Sequence, residues 1–574
     1  MEKIWRVAEV VKPEIKKAFP ELDEIVLQLL WNRNLRTQEA IDEFLNPDWS
    51  EDIHDPFLFV DMNKAVDRIL RAIQKKEIVI VHGDYDADGV CASAVLFTTL
   101  KALGAIVEVY LPHREREGYG LNLQTIEHLH SAHRANLIIT CDCGTSNFNE
   151  VEKAKTLSMD VIITDHHHEP VKRPKALALL NPQLKGSGYP FAFLSGSGVA
   201  FKLAQGLIRK SRLKNLNGLP KEGFEKWLLD FVAISTVTDF MPLIGENRTL
   251  VKYGLVVLRK SPRPGIRALC EVIASRQENL DATSIGFQIG PRLNAAGRMD
   301  HASTAFRLLT SVDLEEARGI AIALNQSNSE RQKLTESILS AVKELLGEID
   351  DEKRLLTAVG TGWPVGVIGL VAGKLADEYH RPTLIISKHQ DTIVGSGRSI
   401  PAYDITEALA RHQECLSRFG GHAGACGFTV VPEKLEDFIV AMTQDANSRL
   451  TPKDLRKEIY IDFLVTLPQV KFELLDILER FEPFGEGNAK PLFVCEGLTV
   501  SELQSVGKEG KHLRIIANQK GSEVKKFIAF GVGEVYSRLL AVGEKIDVVF
   551  SVDLNEWNGT RELQLKIVDL KLSK

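Results

Sequence analysis

Three short apolar runs near the start of the chain each lead straight into acids, thiols or imidazoles, and this pattern limits the possible folds most. Ile78-Val79-Ile80-Val81 is followed by His82, Asp84, Asp86 and Asp88. Leu137-Ile138-Ile139-Thr140 is followed by Cys141-Asp142-Cys143-Gly144, and Val161-Ile162-Ile163-Thr164 by Asp165-His166-His167-His168. The segments between have helical spacing. Asn63 to Lys75 repeats apolar residues at Ala65, Val66, Ile69, Leu70 and Ile73, and Val90 to Leu103 reads as a second helix. Strands alternating with helices predict an α/β fold with a mostly parallel, helix-covered sheet. In such a sheet all carboxyl ends share one edge, where ligands bind in open α/β folds.

The chain has 574 residues, too many for one hydrophobic core. Residues 1–50 read as an N-terminal segment of short helices, and 51–310 as the first α/β domain. In that domain, Ile106 to Leu111 is strand-like, Lys185 to Gly198 reads as a loop and Phe224 to Thr238 as a helix. Residues 311–350 read as a long connector helix with Leu334, Ile338, Val342 and Leu345 on one face. A smaller α/β domain is expected over 351–452, with strands at Leu355–Val359 and Thr383–Ser387. Over 453–574, short β-rich runs separated by Gly and charged turns suggest a small β-barrel.

Net charge is -6, so any nucleic-acid binding has to come from local patches. Seven Cys in a chain this long do not form a disulfide framework and read as reduced thiols. The start lacks a signal peptide's apolar stretch, and no run of about 18 apolar residues appears. A cytoplasmic protein with no membrane span is expected.

One Asp after a strand is most simply a helix cap. Three strand ends bearing Asp, one with Asp-His-His, point instead to a metal site. Crowded carboxylates repel one another unless cations sit among them, and hard divalent ions favour such oxygen ligands. His ligands tilt the choice toward Mn2+ over Mg2+. Asp239, after Phe231–Thr238, is a further candidate ligand. Two such ions would bring a water and a phosphoryl oxygen together for in-line hydrolysis.

These residues resemble the RecJ family of the DHH phosphoesterase superfamily. Gly83 to Gly89 is similar to its first motif, Asp142-Cys143-Gly144 to the second, Asp165-His166-His167 to the third, and Val237-Thr238-Asp239 with Pro242 to the fourth. The resemblance implies that His82, Asp86 and Asp142 hold one metal. It implies that Asp88, Asp142, His166 and Asp239 hold the other, with Asp142 bridging. Asp84 either binds or orients a ligand, His167 contacts phosphate or acts as an acid, and His168 is a bystander. Two further Gly-rich segments resemble the family's core and DHH-associated domain: Gly290 to Arg298, with Arg292, Asn294 and Arg298, and Gly395 to Ser399, with Ser396 and Arg398. Gly420 to Gly424, with His422, belongs with them. Arg298, Ser396, Arg398 and His422 are then expected to grip the strand or its terminal phosphate, with Arg292 and Asn294 also at the substrate.

Asn325 to Gln332, including Arg331, resembles the family's interdomain connector. Pro364 stands where the family often has His. The β-rich end resembles the family's OB-fold, with Lys508, Lys511 and Arg514 as candidate nucleic-acid contacts and Phe484 as core or stacking platform. The resemblance implies a 5′-to-3′ exonuclease on single-stranded DNA in repair and recombination, releasing 5′-mononucleotides. It also implies work beside a single-strand-binding protein and a RecQ-type helicase. The competing readings are a nanoRNase or cyclic-dinucleotide phosphodiesterase of the same superfamily. More remote is a non-catalytic scaffold like the RecJ-related subunit of the eukaryotic replicative helicase.

Overall fold

The computed structural model describes residues 3–573 except 115, 215–218, 390–391, 508–509 and 558–559. The chain forms two compact units. One comprises Ile53–Met241 and Tyr253–Lys457; the other comprises Lys3–Asp52, Pro242–Lys252 and the chain from Glu458 onward.

The first unit holds two sheets. In the first, five parallel strands run in the order Ile106–Tyr110, Ile78–His82, Leu137–Cys141, Asp160–Thr164, Ala178–Leu180. Val79, Ile80, Val81 and Leu137 to Ile139 are buried, as expected for strands covered on both faces. The short strand Ala178–Leu180 has no counterpart in the sequence reading; three residues are too few to set a period. Helix Gly196–Leu213 begins where a loop was expected to end, with the Ser195 hydroxyl capping the Gly198 N–H. Phe224 to Thr238 splits into a tight turn, Phe224–Leu228, and the helix Leu229–Thr238.

The second sheet runs Leu416–His422, Ala425–Val430, Thr392–Arg398, Thr383–His389, Leu356–Thr361, with only the last pair parallel. The connector is one helix, Leu314–Leu346. Its Ile338, Leu339, Val342 and Leu346 pack on Val367, Ile368 and Val371 of helix Val365–Tyr379. Leu345, expected on that face, is exposed, because a straight helix drifts off a strict heptad and Leu346 takes the buried place.

In the second unit, Phe493–Val506, His512–Asn518, Lys525–Ala529, Thr560–Leu572 and Lys545–Trp557 pair in that order and close back on Phe493–Val506 as a barrel. The first 50 residues do not stand apart from it. Strand Ile4–Val7 pairs with Glu458–Ile461. Helices Glu24–Asn32 and Gln38–Leu45 place Val26, Leu29, Leu30, Ile41 and Phe44 in one core with Leu498, Phe527 and Phe550. A segment this short cannot enclose a core of its own, so its apolar faces join the barrel's. Phe484 packs against the same core and is not a free stacking platform.

Arg248 is buried in this unit with carbonyls, not carboxylates, as its partners. Its guanidinium donates to Phe44 O (2.7 Å), Phe481 O (3.0 Å) and Glu482 O (2.8 Å) and lies 3.8 Å from the Phe44 ring centroid. Burial, with Arg33 adding, lowers its pKa to about 9. Arg248→Met would strand several buried acceptors. We expect a loss of roughly 2–4 kcal/mol. Hydrogen exchange should then quicken at Phe44 and Arg480–Glu482 and stay unchanged in the parallel sheet.

Candidate metal centre

The carboxyl ends of Ile78–His82, Leu137–Cys141 and Asp160–Thr164 lie side by side, and the acids collect there. Asp84 and Asp86 sit in the loop after the first strand, and Asp88 lies in the first turn of helix Ala87–Ala102. Asp86 caps that helix by accepting the Gly89 N–H at 3.0 Å. Asp142 leaves its strand in the left-handed region (φ 60°), which Asp tolerates better than most residues. Asp239 ends helix Leu229–Thr238. One ligand atom from each of Asp84, Asp86 and Asp142 lies within 4.8 Å of the others, and the same holds for Asp88, His166 and Asp239, and for Asp142, His166 and His167.

His166 Nε2 lies 3.0 Å from Asp142 Oδ1, 3.5 Å from Asp239 Oδ2 and 3.7 Å from Asp88 Oδ2. The contact with Asp142 is close but lacks hydrogen-bond alignment. Asp142 Oδ1, Asp84 Oδ1 and His166 Nδ1 are all buried without a hydrogen-bond partner. Burial first, then the neighbouring acids, raises the Asp142 and Asp239 carboxyls well above their usual range. Burial and Asp86 do the same to Asp84. Close-set, unpaired oxygens with an imidazole are the donor set a pair of divalent cations requires.

A second layer fixes these ligands. Asp88 accepts from the Gly196 and Ser197 N–H groups (2.7 Å each) at the start of helix Gly196–Leu213, and from the Ser235 hydroxyl at 2.6 Å. Asp165 accepts from the His166 N–H (2.7 Å), the His167 N–H (3.1 Å), His167 Nδ1 (2.8 Å) and the Thr145 N–H (2.8 Å), so it shapes the turn. Burial opposes protonation of His167, but the bond and charge of Asp165 outweigh it and raise the imidazole to about 9. The Tyr119 hydroxyl lies 3.0 Å from both His167 Nδ1 and the Asp142 carbonyl. Asn181 Nδ2 donates to the His167 carbonyl at 2.8 Å.

Beside the acids lies a group of arginines. Arg298 is half-buried and donates to the Gly366 carbonyl at 3.0 Å. Burial lowers its pKa to about 9, with Arg114, Arg331 and Arg398 adding to the shift and Asp86 opposing it. The Arg398 pKa is also lowered, by burial and by Arg114. Arg331 Nε is buried without a partner, and Arg114 lies 4.8 Å from the Tyr85 ring centroid. Among the described residues none of the four is in an ion pair with a carboxylate. The glycines of the Gly395-Ser396-Gly397-Arg398 strand explain how this wall is built. A Cβ at Gly395 would lie 2.1 Å from the Phe428 ring, and one at Gly397 2.6 Å from Cys426 Sγ. The strand packs flat on one face and presents Ser396 and Arg398 on the other.

Three family models match the chain: the DHH family N-terminal domain over residues 77–236, the DHHA1 domain over 352–448 and the RecJ OB domain over 461–569. The single-stranded-DNA-specific exonuclease RecJ of Bacillus subtilis is 33% identical over 574 residues, covering 99% of this chain and 71% of the relative. That of Escherichia coli is 31% identical over 565 residues, covering 95% and 96%. This chain belongs to the RecJ family. A crystal structure of RecJ from Thermus thermophilus in complex with Mn2+ superposes with a TM-score of 0.84 at 30% identity, covering 100% of this chain and 80% of that one.

Within this RecJ-family site, the geometry regroups the expected ligands. His82 is not in these groups, and its Nε2 is buried without a hydrogen-bond partner. It is fully buried, stacks on Tyr110 (centroids 5.4 Å apart) and has Nδ1 3.9 Å from Cys143 Sγ; burial lowers its pKa to about 4. Asp84 takes the place beside Asp86 and Asp142 that His82 was expected to fill. Asn294, expected at the substrate, instead accepts the Ala87 N–H at 2.9 Å and so braces the acid loop. Arg292 bonds Asn325 Oδ1 (3.0 Å) and the Gln288 carbonyl (2.7 Å), tying its helix, Gly290–Met299, to the connector. Ser396 Oγ donates to the Cys426 carbonyl at 3.2 Å.

His168 and His422 are exposed, and His168 lies close enough to add to the lowering of the His422 pKa, which burial and Arg398 dominate. Lys511 and Arg514 are exposed in the second unit, and Lys508 lies outside the described residues. Tyr119, Arg114 and Asn181 were missed by the sequence reading, because each sits in a loop or turn with no motif around it. Among the described residues no helix is long and apolar enough to cross a membrane.

Gly297 lies against the acid loop, and a Cβ there would be 2.2 Å from the Tyr85 carbonyl oxygen. Gly297→Ala should push the loop outward and weaken Mn2+ binding by about tenfold or more, while Asn294→Ala, which loses one hydrogen bond, should weaken it several-fold. Mn2+ titration followed by electron paramagnetic resonance tests both. Unchanged affinity in Gly297→Ala would remove the case for close support of the loop.

Proposed function

We propose that this protein is a metal-dependent exonuclease that degrades single-stranded DNA from the 5′ end and releases 5′-mononucleotides. The observation that carries the reading is a cluster of buried, unpaired carboxylates within electrostatic reach of half-buried arginines that, among the described residues, lack acidic partners. The first suits divalent cations and the second a phosphate. Single-strand specificity is supported by the names of the relatives described above.

Asp84, Asp86 and Asp142 would hold one cation, and Asp88, His166 and Asp239 the other, with Asp142 reaching both. Mn2+ or Mg2+ suits this set. Such a pair of ions supplies an activated water and neutralises charge developing on the phosphoryl group. The chain's own residues do the rest. Asp165 and Tyr119 hold His167 so that its imidazole faces the phosphoryl group. Arg298 and Arg398, with Arg114 and Arg331 near, offer donors to a terminal phosphate and so set where the strand stops. A grip on the terminus explains removal of single nucleotides rather than internal cutting. The C-terminal barrel, with Lys511 and Arg514 exposed, supports a long strand over a dinucleotide as substrate. On this reading the enzyme works in the cytoplasm, where a single-strand-binding protein and a RecQ-type helicase supply unwound DNA.

Digestion of end-labelled single strands tests the reading. Mononucleotides should appear from the 5′ end with Mn2+, EDTA should abolish the reaction, and added Mn2+ should restore it. Asp142→Asn should lower turnover by about a thousandfold or more while strand affinity changes little, since the carboxylate serves the cations and not the strand. Full activity in EDTA would refute the proposal. Arg398→Ala should raise KM for a 5′-phosphorylated strand by roughly 10- to 100-fold and alter KM for a 5′-hydroxyl strand far less. Equal effects on both strands would rule out the terminal-phosphate grip.

A further inference from the structure

Helix Leu229–Thr238, which carries Asp239 at its end, stops in a costly way. Phe240 follows in the left-handed region (φ 54°), a place that glycine usually fills because a Cβ is disfavoured there. The Phe240 N–H bonds the Val237 carbonyl at 3.3 Å and the Met241 N–H bonds the Thr236 carbonyl at 3.0 Å, a turn that glycine would make as well. The phenyl ring is 78% exposed. A bulky apolar residue is therefore held in a disfavoured conformation with its ring in solvent, and neither the backbone nor the core gains from it. Strain of this kind concentrates at functional sites.

A second ring lies on the same support. Ile285–Ile289 forms a π-helical turn, a widened geometry frequent at functional sites, and places Phe287 80% exposed. This turn packs on the end of helix Leu229–Thr238. A Cβ at Gly290 would lie 2.4 Å from Thr238 Cγ2, and one at Gly286 3.7 Å from Val237 Cγ1. Among the described residues neither ring stacks on another aromatic side chain.

We propose that Phe240 and Phe287 form a base-stacking ledge for the substrate strand beside the metal centre. The proposal rests on the single-strand nuclease reading above. Every nucleobase has a π face, so the ledge holds a strand without regard to sequence. Bases within a duplex are already stacked on both sides and cannot use it. The ledge thus adds a chemical basis for choosing single strands to any steric one.

The test compares wild type, Phe240→Gly, Phe287→Ala and the double variant on a 5′-phosphorylated single strand and on strands with one abasic site moved through the first several nucleotides. Phe240→Gly places the preferred residue in its turn, so a folding defect is not expected there. Each substitution should raise KM about tenfold with kcat within about twofold. At one or two positions the abasic site should cost wild type a similar factor and the double variant nothing more, the non-additivity that marks a direct contact. Phe240→Trp should retain wild-type KM. Unchanged KM in the double variant, or equal abasic penalties in wild type and double variant at every position, overturns the ledge while leaving the nuclease reading intact. If wild type with Mn2+ does not digest the unmodified strand, the nuclease reading falls and the ledge falls with it.

Discussion

The first unit is organised around a repulsion. Asp84, Asp88 and Asp142 are buried, Asp86 and Asp239 stand beside them, and burial with the charge of neighbouring acids raises the proton affinity of Asp84, Asp88, Asp142 and Asp239. Two like charges about 4 Å apart at an effective dielectric constant near 20 repel by about 4 kcal/mol, so a cluster of them opposes folding. The fold limits that cost with backbone dipoles. Asp88 rests on the start of helix Gly196–Leu213, and Asp86 caps helix Ala87–Ala102. Asp84 Oδ1 and Asp142 Oδ1 are left buried without partners. What stays uncompensated is the charge that bound cations would neutralise, so the strain in the folded chain is matched to its cofactors.

Helix Gly290–Met299 ties this centre to the second sheet. Asn294 holds the Ala87 N–H, Gly297 lies on the Tyr85 carbonyl, Arg298 reaches the Gly366 carbonyl, and Arg292 holds Asn325 of the connector. One helix thus contacts the acid loop, the connector and helix Val365–Tyr379. The arginine proposed to meet a phosphate and the asparagine that braces the acid loop are four residues apart, about one turn. A shift of that helix on binding a strand would reach both sites without any longer path.

The parallel sheet and its loaded edge were legible in the sequence because local patterns suffice for them. A buried strand needs an unbroken apolar run, and the residue after it must lie at the edge. Most of the candidate ligands follow from that alone. His82, at the very end of its strand, packs its ring on Tyr110 beside Cys143 and keeps Nε2 buried without a hydrogen-bond partner. The contacts that Asn294 and Arg292 make within the fold were not legible, since nothing in a Gly-rich segment tells which neighbouring loop a polar side chain meets. The N-terminal 50 residues were misread for a different reason. Their apolar faces are evident, but the barrel they join lies more than 400 positions later in the chain, and no local pattern encodes that pairing.

Charge placement resolves how a chain with net charge -6 could act on a polyanion. The acids that would repel DNA are gathered at the carboxyl edge of the parallel sheet, where bound cations would screen them. The arginines beside them are half-buried, and desolvation together with their mutual repulsion lowers the proton affinity of Arg298 and Arg398. A half-buried guanidinium without an acidic partner has met part of its desolvation cost before any ligand arrives, so a phosphate entering the cluster would relieve repulsion and meet donors already in place. That advantage falls to a strand end narrow enough to reach in. Attraction is thus concentrated at one terminus instead of being spread over the surface, which is the charge distribution an exonuclease needs and a general DNA-coating protein does not.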